Sequence, residues 1–293
     1  SPGLDLIHDG GGTKDCHGHG THVAGSIGGA SVGMATEVEL VPIRIADCGG
    51  SRPDGAVIRA LDWIVEQHEP GRPAVVNLSL GGPARAALDD AVQAVIDAGV
   101  VVVTAAGNES VDACLLSPAR VPAAITVGAT DAQDRRASFS NHGPCVDVFA
   151  PGVDIQSADS LVPSGRRSDL GTSMSSPHVA GAVAVLLAQR PSMTPAQVAD
   201  LLIGDATPDV VVDPGPGSPN RLLYSSPDAL PPAPPEPPAP PAPEARPAVT
   251  VPSAPAADAG PQVAGIQQNE LAMTGPETNF GFMAVLLFLA GVI

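Results

Sequence analysis

The chain has 293 residues, a formal net charge of -17 from 31 acidic and 14 basic residues, and only 2% aromatic residues. That charge excludes the basic surface nucleic-acid binding needs and favours solubility outside a cell. The length allows one large domain or two small ones, with a core resting on Val, Leu, Ile and Ala.

The residues before His19 are Gly-rich and polar and read as loop, with Asp5, Asp9 and Asp15 among them. Beyond them, apolar runs alternate with amphipathic segments, the pattern of a parallel sheet with helices on both faces. Residues 39–46, 74–80, 100–105 and 124–129 are predicted as buried strands. Val57, Ile58, Leu61, Ile64 and Val65 recur at helical spacing after Asp54, which is expected to cap them. A second helix over 85–98 ends at Gly99, a favoured C-cap residue. The almost wholly apolar segment from Pro177 to Gln189 predicts a buried helix. Thr194-Pro195-Ala196-Gln197 is a capping box opening a last helix to about Gly204. One α/β domain accounts for residues 1–224.

Residues 225–270 differ in kind. Leu230-Pro231-Pro232-Ala233-Pro234-Pro235 and its continuation cannot supply a sheet ladder, because proline lacks the N–H. Such a tract is an extended stalk of roughly 3 Å per residue, favoured here over a ligand for a Pro-binding module. The apolar run 280–293 is about fourteen residues, short of the roughly twenty a membrane-spanning helix needs.

Four cysteines, Cys16, Cys48, Cys114 and Cys145, allow three disulfide pairings. Without a C-x-x-C pair they make a poor zinc site, and four free thiols do not suit a secreted chain.

Two elements carry chemistry: His19-Gly20-Thr21-His22-Val23-Ala24-Gly25 and Gly171-Thr172-Ser173-Met174-Ser175-Ser176-Pro177-His178-Val179-Ala180-Gly181. A serine hydroxyl attacks a carbonyl only if a nearby base takes its proton. Ser173 precedes an apolar helical run, and free N–H groups at a helix N-terminus favour developing negative charge. A lone Gly-x-Ser would be read as a helix cap. The long context and the remote histidine element favour a nucleophile and its base.

Further motifs follow in order between about Gly10 and Asp205: Asp15-Cys16-His17-Gly18-His19, Val75-Val76-Asn77-Leu78-Ser79-Leu80-Gly81-Gly82, Ala105-Ala106-Gly107-Asn108-Glu109 and Ala137-Ser138-Phe139-Ser140-Asn141. With them the chain resembles the subtilisin-like serine proteases, in the branch of proteinase K and aqualysin. The resemblance implies a three-layer α/β fold with a mainly parallel central sheet. It also implies a secreted, monomeric serine endopeptidase acting on proteins or peptides, and the small residues Ala105, Ala106 and Gly107 predict a roomy pocket and broad specificity. His19 is then the general base, Ser173 the nucleophile and Asn108 an oxyanion donor beside the Ser173 N–H. Ser79, Leu80, Gly81 and Gly82 pair with the substrate backbone, and Ala105, Ala106 and Gly107 line the pocket for the side chain before the cut. The same resemblance pairs Cys16 with Cys48 and Cys114 with Cys145. It also implies a calcium ion on the carbonyls of Pro122 and Ala124 and the carboxylate of Asp147. His22 and His178 are expected to be structural, and His17 receives no role. An α/β-hydrolase is set aside, because its Gly-x-Ser-x-Gly elbow and Ser-before-His order both fail.

The family's order is Asp, His, Ser, with the aspartate in an apolar strand roughly thirty residues ahead of the histidine and ending Asp-Thr-Gly or Asp-Ser-Gly. No such strand precedes His19, and Asp5, Asp9 and Asp15 are not assigned the role. The expectation is a protease domain truncated at its N-terminus, the triad aspartate lying upstream of Ser1. The alternative is a catalytically inactive, surface-displayed binding protein on the same scaffold. Leu271-Ala272-Met273-Thr274-Gly275 resembles a sortase sorting signal, which implies cleavage after Thr274 and linkage to the peptidoglycan of a Gram-positive wall. The basic tail expected after such a signal is missing, so the 271–293 segment is expected to be truncated as well.

Overall fold

The structure is a computed structural model that describes residues 3–53, 55–162, 164–225 and 283–288, the last by their backbone alone. The first half runs β1 (Leu4–Asp5), α1 (His19–Gly28), β2 (Glu39–Arg44), α2 (Ala56–Gln67), β3 (Ala74–Leu78), β4 (Gly82–Pro83), α3 (Ala86–Asp97) and β5 (Val101–Ala105). There follow β6 (Leu116–Ser117), β7 (Ile125–Thr130), β8 (Val148–Pro151), β9 (Ile155–Ala158) and β10 (Arg166–Asp169). The last elements are α4 (Thr172–Gln189), α5 (Pro195–Asp205), β11 (Thr207–Pro208), β12 (Arg221–Leu222) and β13 (Met283–Phe288).

The main sheet has the order β1-β2-β13-β3-β5-β7-β8-β12-β11, and every neighbouring pair is parallel except β11 with β12. Successive side chains of a strand point to opposite faces, so a strand covered on both sides is mainly apolar. Val75, Val101 and Val103 accordingly pack with Ile27, Val179 and Val183 of α1 and α4 on one face. Val76 and Val102 pack with Leu61, Ile64, Val92 and Val95 of α2 and α3 on the other. This is the expected subtilisin-like architecture, a mainly parallel sheet between two helical layers.

Most boundaries fall within two residues of expectation. The helix expected from Pro177 begins earlier, at Thr172, and the Thr194–Gln197 capping box forms. The expected Asp54 cap lies outside the described residues, and α2 is entered from Gly55 at φ 70°. Short strands such as Arg-Arg-Ser-Asp in β10 carry no apolar pattern and exist only through pairing, here with β9.

Both expected disulfides are closed, Cys16–Cys48 and Cys114–Cys145. Each loop of about thirty residues contributes roughly 3–4 kcal/mol by chain entropy. The first ties the loop before α1 to the loop after β2.

β2 and β3 are not paired to one another. Their connection through α2 leaves one strand position between them, and β13 from the apolar run 280–293 occupies it, parallel to both. Among the described residues no helix is long and apolar enough to cross a membrane. The expected stalk, apart from its first residue at 225, and the expected signal Leu271 to Gly275 lie outside the described residues.

Candidate active site

Two helix starts and two strand ends build the site. Gly171 enters α4 at φ 138°, a conformation that side chains disfavour. The first N–H groups of a helix lack intrahelical acceptors. The Thr172 N–H donates to Asn108 Oδ1 at 2.9 Å, and Thr172 Oγ1 donates to the same oxygen at 3.0 Å. Thr172 Oγ1 in turn accepts from the Gly107 N–H at 3.1 Å. This network consumes the oxygen of the Asn108 amide, so its NH₂ remains as the available donor. Ser173, second in the helix, brings another N–H without an intrahelical acceptor.

Pro177 explains a contact that the motif alone does not reveal. Having no N–H, it cannot bond the carbonyl of Ser173 four residues back. Ser79 Oγ donates to that carbonyl instead, at 2.7 Å. Ser79 Oγ is itself held by Asn77 Nδ2 and Ser176 Oγ, each at 2.9 Å. Ser173 Oγ donates to the Ser79 carbonyl at 3.3 Å. The Ser79 side chain, 3% exposed, thus locks the end of β3 to the nucleophile's helix. Only backbone of the 79–82 segment is left for the expected substrate pairing, with Gly81 and Gly82 half-buried.

Ala105, Ala106 and Gly107 follow along the end of β5 and are buried. Asn141, given no role from sequence, sets the shape of this loop. Its Oδ1 accepts from the N–H groups of Glu109 and Val111, and its Nδ2 donates to the Ala106 carbonyl and Glu109 Oε2. An asparagine in an Ala-Ser-Phe-Ser-Asn motif, fully buried in the fold, was the available signal.

His19 is the first residue of α1. Asp15 prepares that start: Oδ1 accepts from the N–H groups of His17 and Gly18, and Oδ2 from the N–H and Oγ1 of Thr21. Asp9 holds the buried guanidinium of Arg44 through two bonds of 2.7 and 2.6 Å, and Asp5 accepts from the Ile7 N–H. None of the three candidate aspartates bonds His19. His19 Nδ1 is buried without a partner, and among the described residues no hydrogen bond joins the ring to Ser173. Burial, only partly offset by the charge of Asp169, pushes the His19 pKa down to about 4. The imidazole is neutral at pH 7 and is not fixed in one tautomer.

His22 and His178, expected to be structural, each lie within hydrogen-bond reach of a backbone carbonyl. His22 is buried, with Nε2 2.9 Å from the Ile155 carbonyl, and its own carbonyl accepts from Ser157 Oγ. A side chain at Gly25 would collide with that Ser157 hydroxyl, so α1 sits close against β9. His178 Nδ1 lies 2.8 Å from the Met174 carbonyl. His17 stands edge-on to His19, ring centroids 6.5 Å apart.

The residues expected to hold calcium lie just before two strands, Pro122 and Ala124 ahead of β7 and Asp147 ahead of β8. Asp147 Oδ2 accepts from the Thr126 N–H at 2.7 Å, and the Asp147 N–H donates to the Thr126 carbonyl. Burial raises the Asp147 pKa to about 6, and no cation of the described residues pairs with it. A part-buried carboxylate beside the 121–126 backbone suits a hard, oxygen-seeking cation.

The subtilase (Peptidase S8) family model matches residues 7–233. The extracellular serine proteinase of Thermus sp. (strain Rt41A) is 54% identical over 223 residues, covering 76% of this chain and 54% of that protein. The alkaline serine exoprotease A of Vibrio alginolyticus is 47% identical over 227 residues, covering 78% of this chain and 42% of that protein. The chain thus spans about half the length of these curated relatives. A crystal structure of a cold adapted subtilisin-like serine proteinase matches with a TM-score of 0.73 at 46% identity, covering 76% of this chain and 80% of that one. Its serine, histidine and asparagine elements sit on that same fold, and the chain belongs to the subtilase family.

Proposed function

We propose that the full-length protein is a secreted serine endopeptidase. Ser173 Oγ attacks the peptide carbonyl while His19 takes its proton, forming an acyl-enzyme. Asn108 Nδ2 and the Ser173 N–H stabilise the tetrahedral oxygen, and His19 returns the proton to the leaving amine; water then repeats the cycle on the acyl group. One observation carries this reading: Thr172, itself held by the Gly107 N–H, locks Asn108 by its oxygen, leaving its amide donor free beside a serine at a helix N-terminus. Two relatives are named as an extracellular proteinase and an exoprotease, which supports secretion and action on proteins or peptides. The test is hydrolysis of an unfolded protein by the full-length chain, with covalent labelling of Ser173 by a serine-directed phosphonate as the direct readout.

The triad aspartate completes this proposal. His19 Nδ1 has no acceptor, and the strand position between β2 and β3 ends beside Arg44, whose guanidinium reaches the Gly12 carbonyl and Cys16 in the loop before His19. An upstream strand taking that position in place of β13 delivers a carboxylate toward Nδ1. The second reading, an inactive binding protein on a subtilase scaffold, rests on the same orphaned nitrogen. Phosphonate labelling separates the two, since an inactive scaffold does not label.

The Pro/Ala stalk and the Leu271-Ala272-Met273-Thr274-Gly275 signal support display on a Gram-positive wall, with sortase and peptidoglycan as partners. Cells expressing the full gene are expected to release the protease only on peptidoglycan digestion. Thr274→Ala is expected to shift it to the medium, and equal free secretion of both forms refutes anchoring.

For the calcium site, Pro122 and Ala124 carbonyls with Asp147 are the proposed ligands, and the ion's role is to brace the turn before β7. A carboxyl whose folded pKa is raised holds its proton more tightly in the native state. Its stabilisation is therefore complete below about pH 4 and lost as pH rises through about 6. Calcium replaces the proton above that range, giving about 3 kcal/mol at a hundredfold excess over Kd. Melting in calcium against chelator is expected to show a larger gain at pH 8 than at pH 5, abolished in Asp147→Asn. An equal gain in wild type and variant removes Asp147 from the site.

A further inference from the structure

Beside the nucleophile lies a groove of about 220 Å³ that the catalytic chemistry does not use, lined by Arg52, Val57, Leu80, Gly82, Arg85 and Leu88 among others. It begins one residue beyond Ser79, whose carbonyl accepts the Ser173 hydroxyl. Extended chain rises about 3.3 Å per residue, so Gly82 stands roughly 10 Å from Ser79. A peptide lying along this segment brings to the groove a side chain two to four residues from the bond being cut. The approach is open: a Cβ built on Gly82 meets nothing within 4 Å, and one on Gly81 meets only the Ser117 carbonyl at 3.9 Å.

The groove gathers two cations in an acidic chain. The protein carries -17 overall, and Arg44, Arg72, Arg120 and Arg167 each hold a carboxylate at 3.1 Å or less. Arg52 and Arg85 are exposed and hold none among the described residues. The backbone of Arg85 is fixed: its N–H donates to Ser117 Oγ at 2.8 Å, and its carbonyl accepts from Leu88 and Asp89. The floor is fixed too, because Gly82–Pro83 pairs with Leu116–Ser117. Desolvation and then the charge of Arg85 lower the pKa of Arg52, so the two cations feel one another across the groove. Two guanidinium groups over an apolar floor of Val57, Leu80 and Leu88 match a side chain with a short aliphatic stem and a terminal carboxylate.

We propose that Arg52 and Arg85 select an acidic residue, glutamate above aspartate, two to four positions from the scissile bond of the peptide substrate. This rests on the proteolytic function proposed above and adds a preference to it. Exposed ion pairs are worth a few-fold and charge-assisted pairs in desolvated pockets far more, so a groove of this openness is expected to give about tenfold.

The experiment uses full-length protein and internally quenched peptides that differ only by Glu, Gln or Lys at each of those positions. Wild type is expected to cleave the Glu peptide with kcat/KM about tenfold above the Gln peptide at one position, the ratio shrinking in high salt. In Arg52→Gln combined with Arg85→Gln the ratio is expected to fall to about one. In Arg52→Gln combined with Arg85→Glu the preference is expected to pass to the Lys peptide, a gain that misfolding cannot produce. A Glu-to-Gln ratio near one in wild type, or an unchanged ratio in the double Gln variant, overturns the assignment and leaves the protease standing. Cleavage of no peptide overturns the protease function itself and the assignment with it.

Discussion

Ser173→Ala in the full-length protein is expected to lower turnover on an unfolded protein by about 10⁶-fold, the size of the loss known for the nucleophile of subtilisin itself. Neither Ser79 nor Thr172 can substitute. Ser79 Oγ is committed to the Ser173 carbonyl and to Asn77 and Ser176, and Thr172 Oγ1 is committed to Asn108 and Gly107. What survives is the oxyanion hole, because Asn108 is held by Thr172 and not by Ser173; such a remnant still accelerates hydrolysis roughly 10³–10⁴-fold over water. The fold is expected to be unaffected, since Ser173 Oγ makes only a 3.3 Å bond to the Ser79 carbonyl, and the melting temperature should stay within about 2 °C. Phosphonate labelling should vanish with turnover. Full activity in this variant removes Ser173 from the mechanism.

The sheet was legible because its central strands are covered on both faces and therefore cannot hide: Val100 to Val103 is apolar without interruption. Serine, histidine and asparagine elements were legible because they are long and ordered. Less visible were residues whose role comes from a distant partner. Ser79 looked like a substrate contact, yet its hydroxyl serves the carbonyl that Pro177 leaves unbonded, a relation spanning β3 and α4. Asp15 looked like loop, and only the folded start of α1 shows four donors converging on its carboxylate. Asn141 shapes the 105–111 loop from across the chain. The paired arginines of the groove are 33 positions apart in sequence and share no pattern; β4 and the start of α3 bring them together. Met283–Phe288 was read as part of an anchoring segment, and its membership of the sheet depends on a strand position that no local pattern announces.

The 293-residue chain by itself is expected to turn over about 3 × 10⁴-fold more slowly than the full-length protein, the cost known for loss of the subtilisin aspartate alone. The argument runs through His19. A pKa of about 4 makes the ring neutral at pH 7 but a feeble base, and an unpartnered Nδ1 leaves the imidazolium formed during attack without stabilisation. A carboxylate at Nδ1 fixes the tautomer and raises the pKa toward neutrality. In the 293-residue chain β13 holds the strand position from which that carboxylate is expected to come, so the upstream strand must also displace it. The two states carry opposite acid signatures. A histidine whose folded pKa is lowered lets the unfolded state take the proton first, so the short chain should lose stability as pH falls from about 6.5 to about 4. Restoring the aspartate should remove that loss, and NMR titration should place the His19 pKa near neutrality instead of near 4. Turnover by the short chain equal to that of the full-length protein would mean that a carboxylate within these residues serves His19. Asp169 is then the residue to change first, because its charge already acts on that ring more strongly than that of Asp15.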